Sequence, residues 1–445
     1  MKITFVLPAI GKKTGESYIT TWKKMEPLTI AVLKALTPPD IETEFFDDRM
    51  EFIDYTTETD LVAIPAEMYT AKRAYEIAAR FRKRGIPVIM GGYHATLCPE
   101  EVLEHADAVV IGNADDIWVN VIADAYAKKL QKKYLGRPIF GYNLPDRSIY
   151  KDKKYSPIAL VETGRGCNHA CEFCAITASY QASYYPRPIS EIIDDIRRAN
   201  KEYVFFVDDN IVANPQYAID LFKAIVPLKI KWTAQATLTI AQNPEMLFWM
   251  KKSGCEVILI GYESLDMQNL NQMKKDWSVS LGERDLLTKA IHDAGINIYA
   301  TFVFGFDFDT SQTFERASSF ARRHKFFFTA FNHLLPFPGT KLHKRLLQQD
   351  VCYQDRWWLK DGYCYGDIPF IPKHFSAEEL SEQCAKIRRE FFTLLSIFWR
   401  GMALLRRNWN PLLFAIFWVQ NLNLRKEVDG KLGMPIGRGL DEKPK

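Results

Sequence analysis

Three cysteines lie close together near the middle of this 445-residue chain. In the segment GRGCNHACEFCAI, residues 164–176, Cys167, Cys171 and Cys174 are separated by three and then two residues. Clustered thiolates bind zinc or iron–sulfur clusters, but structural zinc sites are closed by four protein ligands, usually in paired C-x2-C knuckles, and a partner pair is missing here. An iron–sulfur cube can leave one iron open to an exogenous molecule. Three cysteines therefore favour a [4Fe–4S] cluster over zinc.

The residues around the cysteines predict a barrel that would position them. From residue 156 to residue 345, six apolar runs alternate with helical patterns, which is typical of a (β/α)6 partial TIM barrel. Reactive groups of such barrels lie at the C-terminal ends of the strands. The polar residues that follow these strands are Asp208, Asp209, Asn210, Gln235, Glu263, Ser264 and Asp307. Any one of them could instead cap a helix, because strand-to-helix turns favour Asp, Asn and Ser.

The first 135 residues predict a separate α/β domain. Short apolar runs such as ITFVL and DLVAIP alternate with helical patterns in the βαβ rhythm of an open, parallel, Rossmann-like sheet. Ligands of such sheets bind beyond the carboxyl ends of the strands. The loops predicted at that edge span residues 8–18, 65–68, 91–94 and 112–115.

The remaining segments are a linker and a C-terminal region. Residues 136–155 are rich in Gly and Pro and predict a linker between the two domains. Residues 346–445 predict a mostly helical, aromatic-rich region, in which Ser376 and Glu379 form a capping box. The stretch 408–424 carries no charge, but its Pro411 and its amides argue against a full membrane span. It is either a core-packing helix or a surface that touches a bilayer or an apolar substrate, which leaves a peripheral membrane contact open.

Composition excludes several classes of function. The net charge is +4 and no long basic run is present, so a nucleic-acid partner is not expected. The start MKITFVLPAI lacks the apolar region of a signal peptide, which predicts a cytoplasmic protein whose eight cysteines stay reduced. The sequence has neither G-x-G-x-x-G in the first βα turn nor G-x4-G-K-[ST], so NAD and ATP are poor candidates.

The cysteine spacing, with Phe173 before the last cysteine, resembles the signature of the radical S-adenosylmethionine (SAM) enzymes. The resemblance implies that three cysteines hold a [4Fe–4S] cluster and that SAM chelates its open iron. It also implies cleavage of SAM to a 5′-deoxyadenosyl radical, with electrons from an external reductant of the flavodoxin or ferredoxin type. The SAM contacts that it implies are Phe173, Asp208, Gln235 and Glu263. Among these, Glu263 is expected to accept charge-assisted hydrogen bonds from the methionyl ammonium.

The first domain resembles that of the cobalamin-binding subfamily of these enzymes. The matching runs are GGYHAT at 91–96, PEE at 99–101 and PDR at 145–147. The resemblance implies cobalamin contacts from Gly91, Gly92, Tyr93 and Gly112. Adjacent glycines at a strand end let the backbone approach a bulky ligand, which agrees with that implication.

Two departures from the subfamily pattern concern cobalamin. Members that ligate cobalt from below use a D-x-H-x-x-G loop after the first strand, whereas residues 8–15 here read PAIGKKTG, without histidine. The lower histidine ligand is therefore expected to be absent. His94 is either a replacement ligand or, as we favour, a hydrogen-bonded structural residue. The fifth strand ends in GNAD, residues 112–115, where a Gly-Glu-Gly-Glu-like run is common, so binding of the nucleotide tail is in doubt.

The predicted function is a cobalamin-dependent methyl transfer from SAM to an unactivated carbon of a small molecule. One alternative is a radical cyclisation or ring rearrangement, or an aminocarboxypropyl transfer, with cobalamin absent or not carrying a methyl group. Another, in a different class, is a non-catalytic iron–sulfur electron carrier. Aromatic residues at 357, 358, 363 and 365 point to an apolar or planar substrate, although aromatic cores give the same pattern.

Overall fold

Two parallel sheets and a helical segment follow each other along the chain. The computed structural model describes residues 1–11, 24–140, 144–353, 355–407 and 410–437. In these residues each of the two large sheets has six strands, all parallel, and the C-terminal segment is mostly helical. The predicted fold class is confirmed. The predicted ligand loop 8–18 lies outside the described residues from position 12 onward, as do Gly141 of the linker and residues 408 and 409.

The first sheet has the strand order β2-β1-β3-β4-β5-β6. Its strands are β1 (Lys2–Leu7), β2 (Glu42–Asp47), β3 (Leu61–Pro65), β4 (Val88–Gly91), β5 (Ala108–Ile111) and β6 (Lys133–Leu135). The inner strands are buried on both faces, as in β3, where Leu61, Val62, Ala63 and Ile64 are all buried. The edge strand β6 was not predicted, because two of its three residues are exposed and give no apolar run.

Helices cover both faces of the first sheet. They are α1 (Leu28–Leu36), α2 (Ala71–Lys83), α3 (Tyr93–Leu97), α4 (Pro99–His105) and α5 (Trp118–Tyr126). In α2 the residues Ala74, Ile77, Ala78 and Phe81 recur at helical spacing and are fully buried, so this apolar stripe fixes the helix on the sheet. The linker motif at 145–147 holds the two domains together, since Arg147 pairs with Asp195 of the barrel at 2.6 Å.

The second sheet forms the predicted partial barrel, with the order β14-β13-β12-β11-β10-β7. Its strands are β7 (Ile158–Val161), β10 (Tyr203–Phe206), β11 (Lys231–Ala236), β12 (Cys255–Glu263), β13 (Asn297–Phe304) and β14 (Phe328–His333). Alternate side chains face the outer helices, where Trp232 stacks on Phe222 at 5.1 Å. Gln235 lies on the opposite, inner face of its strand. The C-terminal ends of the six strands therefore share one mouth.

A small hairpin interrupts the barrel after its first strand. Strands β8 (Gly164–Gly166) and β9 (Tyr184–Pro186) pair antiparallel and enclose the cysteine loop and the helix α6 (Ala175–Tyr180). Gly164 is required there, because a Cβ atom would lie 2.2 Å from the Tyr184 hydroxyl. The hairpin was not predicted, since neither three-residue strand has an apolar pattern.

The other barrel helices alternate with the strands as predicted. They are α7 (Ile189–Ala199), α8 (Pro215–Ile225), α9 (Pro244–Lys252), α10 (Met267–Gln272), α11 (Arg284–Asp293), α12 (Ser311–Arg323) and α13 (Lys341–Gln348). Short 3-10 turns lie at Met68–Thr70, Arg147–Tyr150, Val226–Leu228, Leu238–Gln242, Asp276–Leu281 and Trp357–Leu359.

Three helices, α14 (Ala377–Phe391), α15 (Leu394–Arg407) and α16 (Pro411–Lys431), form most of the C-terminal segment. Helix α14 begins with the predicted capping box of Ser376 and Glu379. It covers the open edge of the barrel, where Arg388 donates to the backbone carbonyl of Phe331 in β14 at 2.7 Å. Within the described residues, no helix has the length and apolar composition needed to cross a bilayer.

The aromatic loop before α14 does not line a substrate cavity. Trp357, Trp358 and Tyr363 are buried and join the core of the first domain. The indole N–H of Trp358 donates to Glu101 at 3.1 Å, and that of Trp357 donates to the carbonyl of Pro336 at 3.2 Å. These three residues therefore give no information about the substrate. They form part of an aromatic core, which was the other explanation of the pattern.

Candidate active site

The three cysteines lie between β8 and α6, at the mouth of the barrel. All three are half-buried and free of disulfides. Burial raises the pKa of each thiol, to about 12 for Cys171. Lys275 opposes that effect at Cys167 and Cys171, and the Asn210 amide opposes it at Cys167, where Asn210 Nδ2 lies 3.8 Å from Sγ. Binding of a metal cluster would remove these thiol protons, and the nearby donors and cation suit the anionic thiolates that result.

The spacing of the thiols argues against a single zinc ion. A tetrahedral site with Zn–S distances of about 2.3 Å holds its sulfur atoms about 3.8 Å apart. Within the part of the chain that the structure describes, the only three potential ligands whose atoms all lie within 4.8 Å of one another are His94, Cys98 and Glu101. At least two of the three loop thiols are therefore more than 4.8 Å apart, which is wider than a single zinc ion requires.

Two members of this set, His94 and Glu101, belong to a buried hydrogen-bond network. Glu101 Oε1 lies 2.9 Å from His94 Nε2, 2.6 Å from the Tyr75 hydroxyl and 3.1 Å from the Trp358 indole nitrogen. Burial raises the pKa of the Cys98 thiol to about 12, so it carries its proton at neutral pH. His94 Nε2 is thus engaged with Glu101, and His94 is not among the residues that line the cavity described below, which agrees with the structural role that we favour from the sequence. That role stays a prediction.

Glu263 forms a buried ion pair at the end of β12. Its carboxylate lies 3.0 Å from Lys275 Nζ, which also donates to the carbonyl of Gly261 at 2.7 Å. Glu263 has a left-handed backbone with φ of 59°, beside a register shift in its strand. A non-glycine residue in this conformation costs roughly 1–2 kcal/mol, which is a strain that often marks a functional site. Lys275 was not predicted, because it lies in a loop with no motif of its own.

The other predicted SAM contacts have partners of their own in the barrel. Asp208 is fully buried and accepts from the Thr163 backbone at 3.1 Å and from its hydroxyl at 2.6 Å, and burial raises its pKa to about 7. Phe173 packs edge-on against Phe306 at 6.2 Å. Gln235 is half-buried on the inner face of β11. Their roles in SAM binding stay predictions, and the geometry of Asp208 also agrees with a purely structural role.

Unsatisfied polar atoms at the mouth fit the presence of a bound group. Among the described residues, Asn210 Oδ1, Trp277 Nε1 and Ser179 Oγ are buried without a hydrogen-bond partner. Such atoms cost free energy unless a ligand or water pairs with them. They lie in the segments that follow β10, β12 and the cysteines, which is where the barrel would hold its cofactors.

A cavity of about 650 Å³ separates the first sheet from the barrel mouth. All four predicted cobalamin contacts, Gly91, Gly92, Tyr93 and Gly112, line it. Barrel residues Arg165 and Tyr180 line the opposite side. Gly92 has φ of 94°, and a Cβ atom there would lie 2.7 Å from the carbonyl oxygen of Ala66, so this tight turn requires glycine.

The cavity contains a carboxyl group that the sequence analysis did not single out. Glu67 follows β3 and lines the cavity. The protein around its carboxyl group raises the pKa of Glu67 to about 7 by desolvation, and the backbone N–H of Tyr93 opposes this rise. Across the cavity, Arg165 pairs with Asp115 of the first domain at 2.8 Å and stacks over Phe140 at 4.0 Å. These contacts fix the two cavity walls relative to each other.

Comparisons with known proteins identify the family. The family model of the radical SAM superfamily matches residues 161–321. Bacteriochlorophyllide d C-12(1)-methyltransferase of Chlorobaculum tepidum is 30% identical over 400 residues, covering 86% of this chain and 84% of the relative. The hopanoid C-2 methylase of Rhodopseudomonas palustris is 26% identical over 355 residues, covering 74% of this chain and 66% of the relative.

A solved structure has the same overall fold. The radical SAM methyltransferase TsrM from Kitasatospora setae, with cobalamin and a [4Fe–4S] cluster bound, superposes with a TM-score of 0.66 and 13% identity, covering 96% of this chain and 99% of that one. A match over this share of both chains extends well beyond the barrel. The radical SAM family match and the relatives named as methyltransferases make a non-catalytic electron carrier the wrong alternative. The chain belongs to the radical SAM superfamily, within its methyltransferases, and is an enzyme whose family uses a [4Fe–4S] cluster and SAM.

Proposed function

We propose that this chain is a cobalamin-dependent radical SAM methyltransferase that acts on an unactivated carbon. One observation carries the proposal: the cavity lies between the C-terminal edge of the first sheet and the mouth that bears the cysteine loop. A ligand in that cavity would face both the first domain and the SAM site. In a methyl transfer from cobalamin to a radical of the substrate, the two cofactors must face the same substrate in this way.

The barrel would hold the cluster and SAM. When bound, the cluster supplies the electron that cleaves SAM to a 5′-deoxyadenosyl radical, and cobalamin carries the methyl group. Cys167, Cys171 and Cys174 would bind the cluster. The ion pair of Glu263 and Lys275 matches the two opposite charges of the methionyl end of SAM, with the carboxylate accepting from its ammonium and Nζ donating to its carboxylate.

The first domain would bind cobalamin at its sheet edge. Gly91 and Gly92 leave the backbone open to the ring, and Tyr93 extends towards the barrel, where burial and the charge of Asp209 raise its pKa. Glu67, in the loop after β3, also lines the cavity and would be available to the group bound there. The sequence of residues 8–15 contains no histidine that could ligate cobalt.

The substrate class is proposed from the relatives. The names of the two methyltransferase relatives specify a bacteriochlorophyllide, which is planar, and a hopanoid, which is apolar. An apolar or planar small molecule is therefore proposed here too, with an external one-electron reductant of the flavodoxin or ferredoxin type. The peripheral membrane contact that the sequence leaves open for the C-terminal helices would suit such a substrate.

Anaerobic reconstitution of the full chain with iron, sulfide and cobalamin tests the proposal. We expect the absorption spectrum of bound cobalamin after gel filtration, and S-adenosylhomocysteine when the reduced protein receives SAM. With a bacteriochlorophyllide or a hopanoid added, we expect 5′-deoxyadenosine and a product carrying the labelled methyl group of SAM. Cys171→Ala should abolish 5′-deoxyadenosine, whereas Cys352→Ala, which changes a half-buried cysteine away from the loop, should not.

Two results would change the assignment. A protein that leaves gel filtration without cobalamin would contradict cobalamin dependence. Release of 5′-deoxyadenosine without S-adenosylhomocysteine, together with a product that lacks the label, would favour the alternative of a radical cyclisation or ring rearrangement. Release of methylthioadenosine with a heavier product would favour aminocarboxypropyl transfer.

A further inference from the structure

The last two helices expose large apolar side chains in two continuous strips. On α15, Leu395 is 68% exposed, Phe398 45% and Trp399 53%. On α16, Leu412 is 48% exposed and Val419 57%. Each helix has a set of positions that recurs at helical spacing and therefore lies along one face. The sets are positions 395, 399 and 402 on α15 and positions 412, 415, 419 and 422 on α16. Scattered apolar residues are normal on a surface, but a contiguous apolar area marks an interaction site.

The two strips lie on the same side of a helical hairpin. The helices pack antiparallel, since the Arg400 guanidinium bonds Asn421 Oδ1 at 2.7 Å and Gly401 lies against Phe417. The opposite faces of both helices, with Ile397, Leu404, Leu413 and Phe417, are buried against Phe327 at the start of β14. The exposed strips therefore form one outward apolar surface, here called the hairpin surface: Leu394, Leu395, Phe398, Trp399, Leu412, Val419 and Leu422.

Exposed positive charge lies at both ends of this surface, from Arg406, Arg425 and Lys426, while Arg400 is buried beneath it. Residues 391–426 contain five basic residues and no acidic one, in a chain that has 54 acidic residues in total. Arg406 and Lys426 are exposed and continue the two strips at helical spacing. Because the helices are antiparallel, these cations lie at opposite ends of the hairpin. An apolar area with aromatic side chains and flanking cations is the composition of a helix that lies in a membrane interface.

We propose that the hairpin surface docks the enzyme on a bilayer that contains anionic lipid. Phe398 and Trp399 would enter the boundary between headgroups and acyl chains, while Arg406, Arg425 and Lys426 would contact lipid phosphates. A second copy of the chain is the less suitable occupant. A two-fold pairing of this surface would face basic residues with basic residues, and the segment has no acidic side chain to pair with them. The buried Arg400 and Asn421 also hold α16 to the barrel, which suits a helix that lies on the membrane without crossing it.

Vesicle sedimentation with the reconstituted full chain tests this docking. We expect binding to vesicles of phosphatidylcholine mixed with phosphatidylglycerol and much weaker binding to phosphatidylcholine alone. Phe398→Ser combined with Trp399→Ser should lower the partition coefficient by roughly tenfold or more, from the apolar area that these rings would bury. Arg425→Gln with Lys426→Gln should lower it by about fivefold per residue, and added salt should have the same direction of effect.

The matched control is Phe248→Ser on α9. This phenylalanine is 55% exposed, but its surroundings carry both signs of charge, since Lys223 pairs with Glu245 nearby. This variant should bind vesicles like the wild type. Circular dichroism and iron content establish that every variant is folded. The proposal is overturned if the wild type does not sediment with anionic vesicles, or if Phe248→Ser loses binding equally. It is also overturned if light scattering shows a dimer that the Phe398 and Trp399 changes dissociate while vesicle binding persists.

Discussion

Replacing Lys275 by methionine should weaken SAM binding while the cysteine loop still accepts its cluster. The Lys275 side chain is 9% exposed and that of Glu263 is 12% exposed, so their ion pair is largely removed from water. If the pair binds the methionyl end of SAM, each charge contributes hydrogen bonds to the cofactor. A methionine side chain at this position would nearly keep the volume of the lysine and remove only the charge and its donors.

The expected effect on binding follows from the kind of bond that is lost. A hydrogen bond to a charged group contributes about 1.5–3 kcal/mol, so the SAM dissociation constant should rise roughly 10- to 100-fold in Lys275→Met and in Glu263→Gln. Removing one partner of a buried ion pair also destabilises a protein by about 3–5 kcal/mol, because the other charge stays buried and unpaired. The double variant leaves no unpaired charge, and its loss of stability should be smaller than the sum of the two single losses.

Equilibrium dialysis of the reconstituted protein with SAM, under anaerobic conditions, measures the dissociation constant, and thermal unfolding measures stability. Methylthioadenosine is the control ligand, because it lacks the amino and carboxylate groups and should bind the variants and the wild type alike. Arg73→Met is the control variant, since Arg73 forms a comparably buried pair with Asp48 at 2.9 Å in the first domain. It should lower stability without changing SAM affinity. Unchanged SAM affinity in Lys275→Met, or an equal loss of methylthioadenosine affinity, would refute the assignment.

Three further outcomes are expected. Cys171→Ala should bind less iron than the wild type after reconstitution and lose the response of the cluster's electron paramagnetic resonance signal to SAM, whereas Cys352→Ala should retain both. Gly92→Ala should lose cobalamin binding and should lose more stability than Gly85→Ala. Both glycines have positive φ, but only at Gly92 would the new Cβ meet backbone, 2.7 Å away. At Gly85 nothing lies within 4 Å, so backbone strain of about 1–2 kcal/mol is the whole cost of that change. The carboxyl of Asp208 has a folded pKa of about 7 against an ordinary 3.8, so its contribution to stability is full below pH 3.8 and is lost as the pH rises through 7. At about 1.4 kcal/mol per pK unit this loss is about 4 kcal/mol, and Asp208→Asn should flatten the dependence of unfolding free energy on pH over that window.

The barrel strands were predictable because each is an apolar run long enough to stand out. All six strands of the second sheet coincide with apolar runs that lie between helical patterns in the sequence: β7, β10, β11, β12, β13 and β14. The hairpin of β8 and β9 was not predictable, since its strands have three residues each and pair across the cysteine loop. Gly166 and Tyr184 pair in this hairpin because the folded loop between them brings them together, and no local sequence pattern indicates this pairing.

The candidate site was only partly predictable for the same reason. Cysteine spacing and strand ends are local features, so Cys167, Glu263 and the glycines could be named from the sequence. Lys275 meets Glu263 only in the folded chain, from the loop after α10, and nothing in its sequence neighbourhood distinguishes it from other lysines. The tryptophans of the loop after α13 show the opposite case. Their composition suggested a substrate surface, but burial in the first-domain core explains them.

The arrangement of the two sheets brings the loops that follow both sets of strands to one cavity. The pair of Arg165 with Asp115 holds the cavity walls together on one side. Arg147 of the linker also pairs with Asp195 of the barrel, so separating the domains would break two largely buried ion pairs as well as the packing of Arg165 on Phe140. Under the proposed function, cobalamin would therefore lie between two walls that these contacts fix relative to each other.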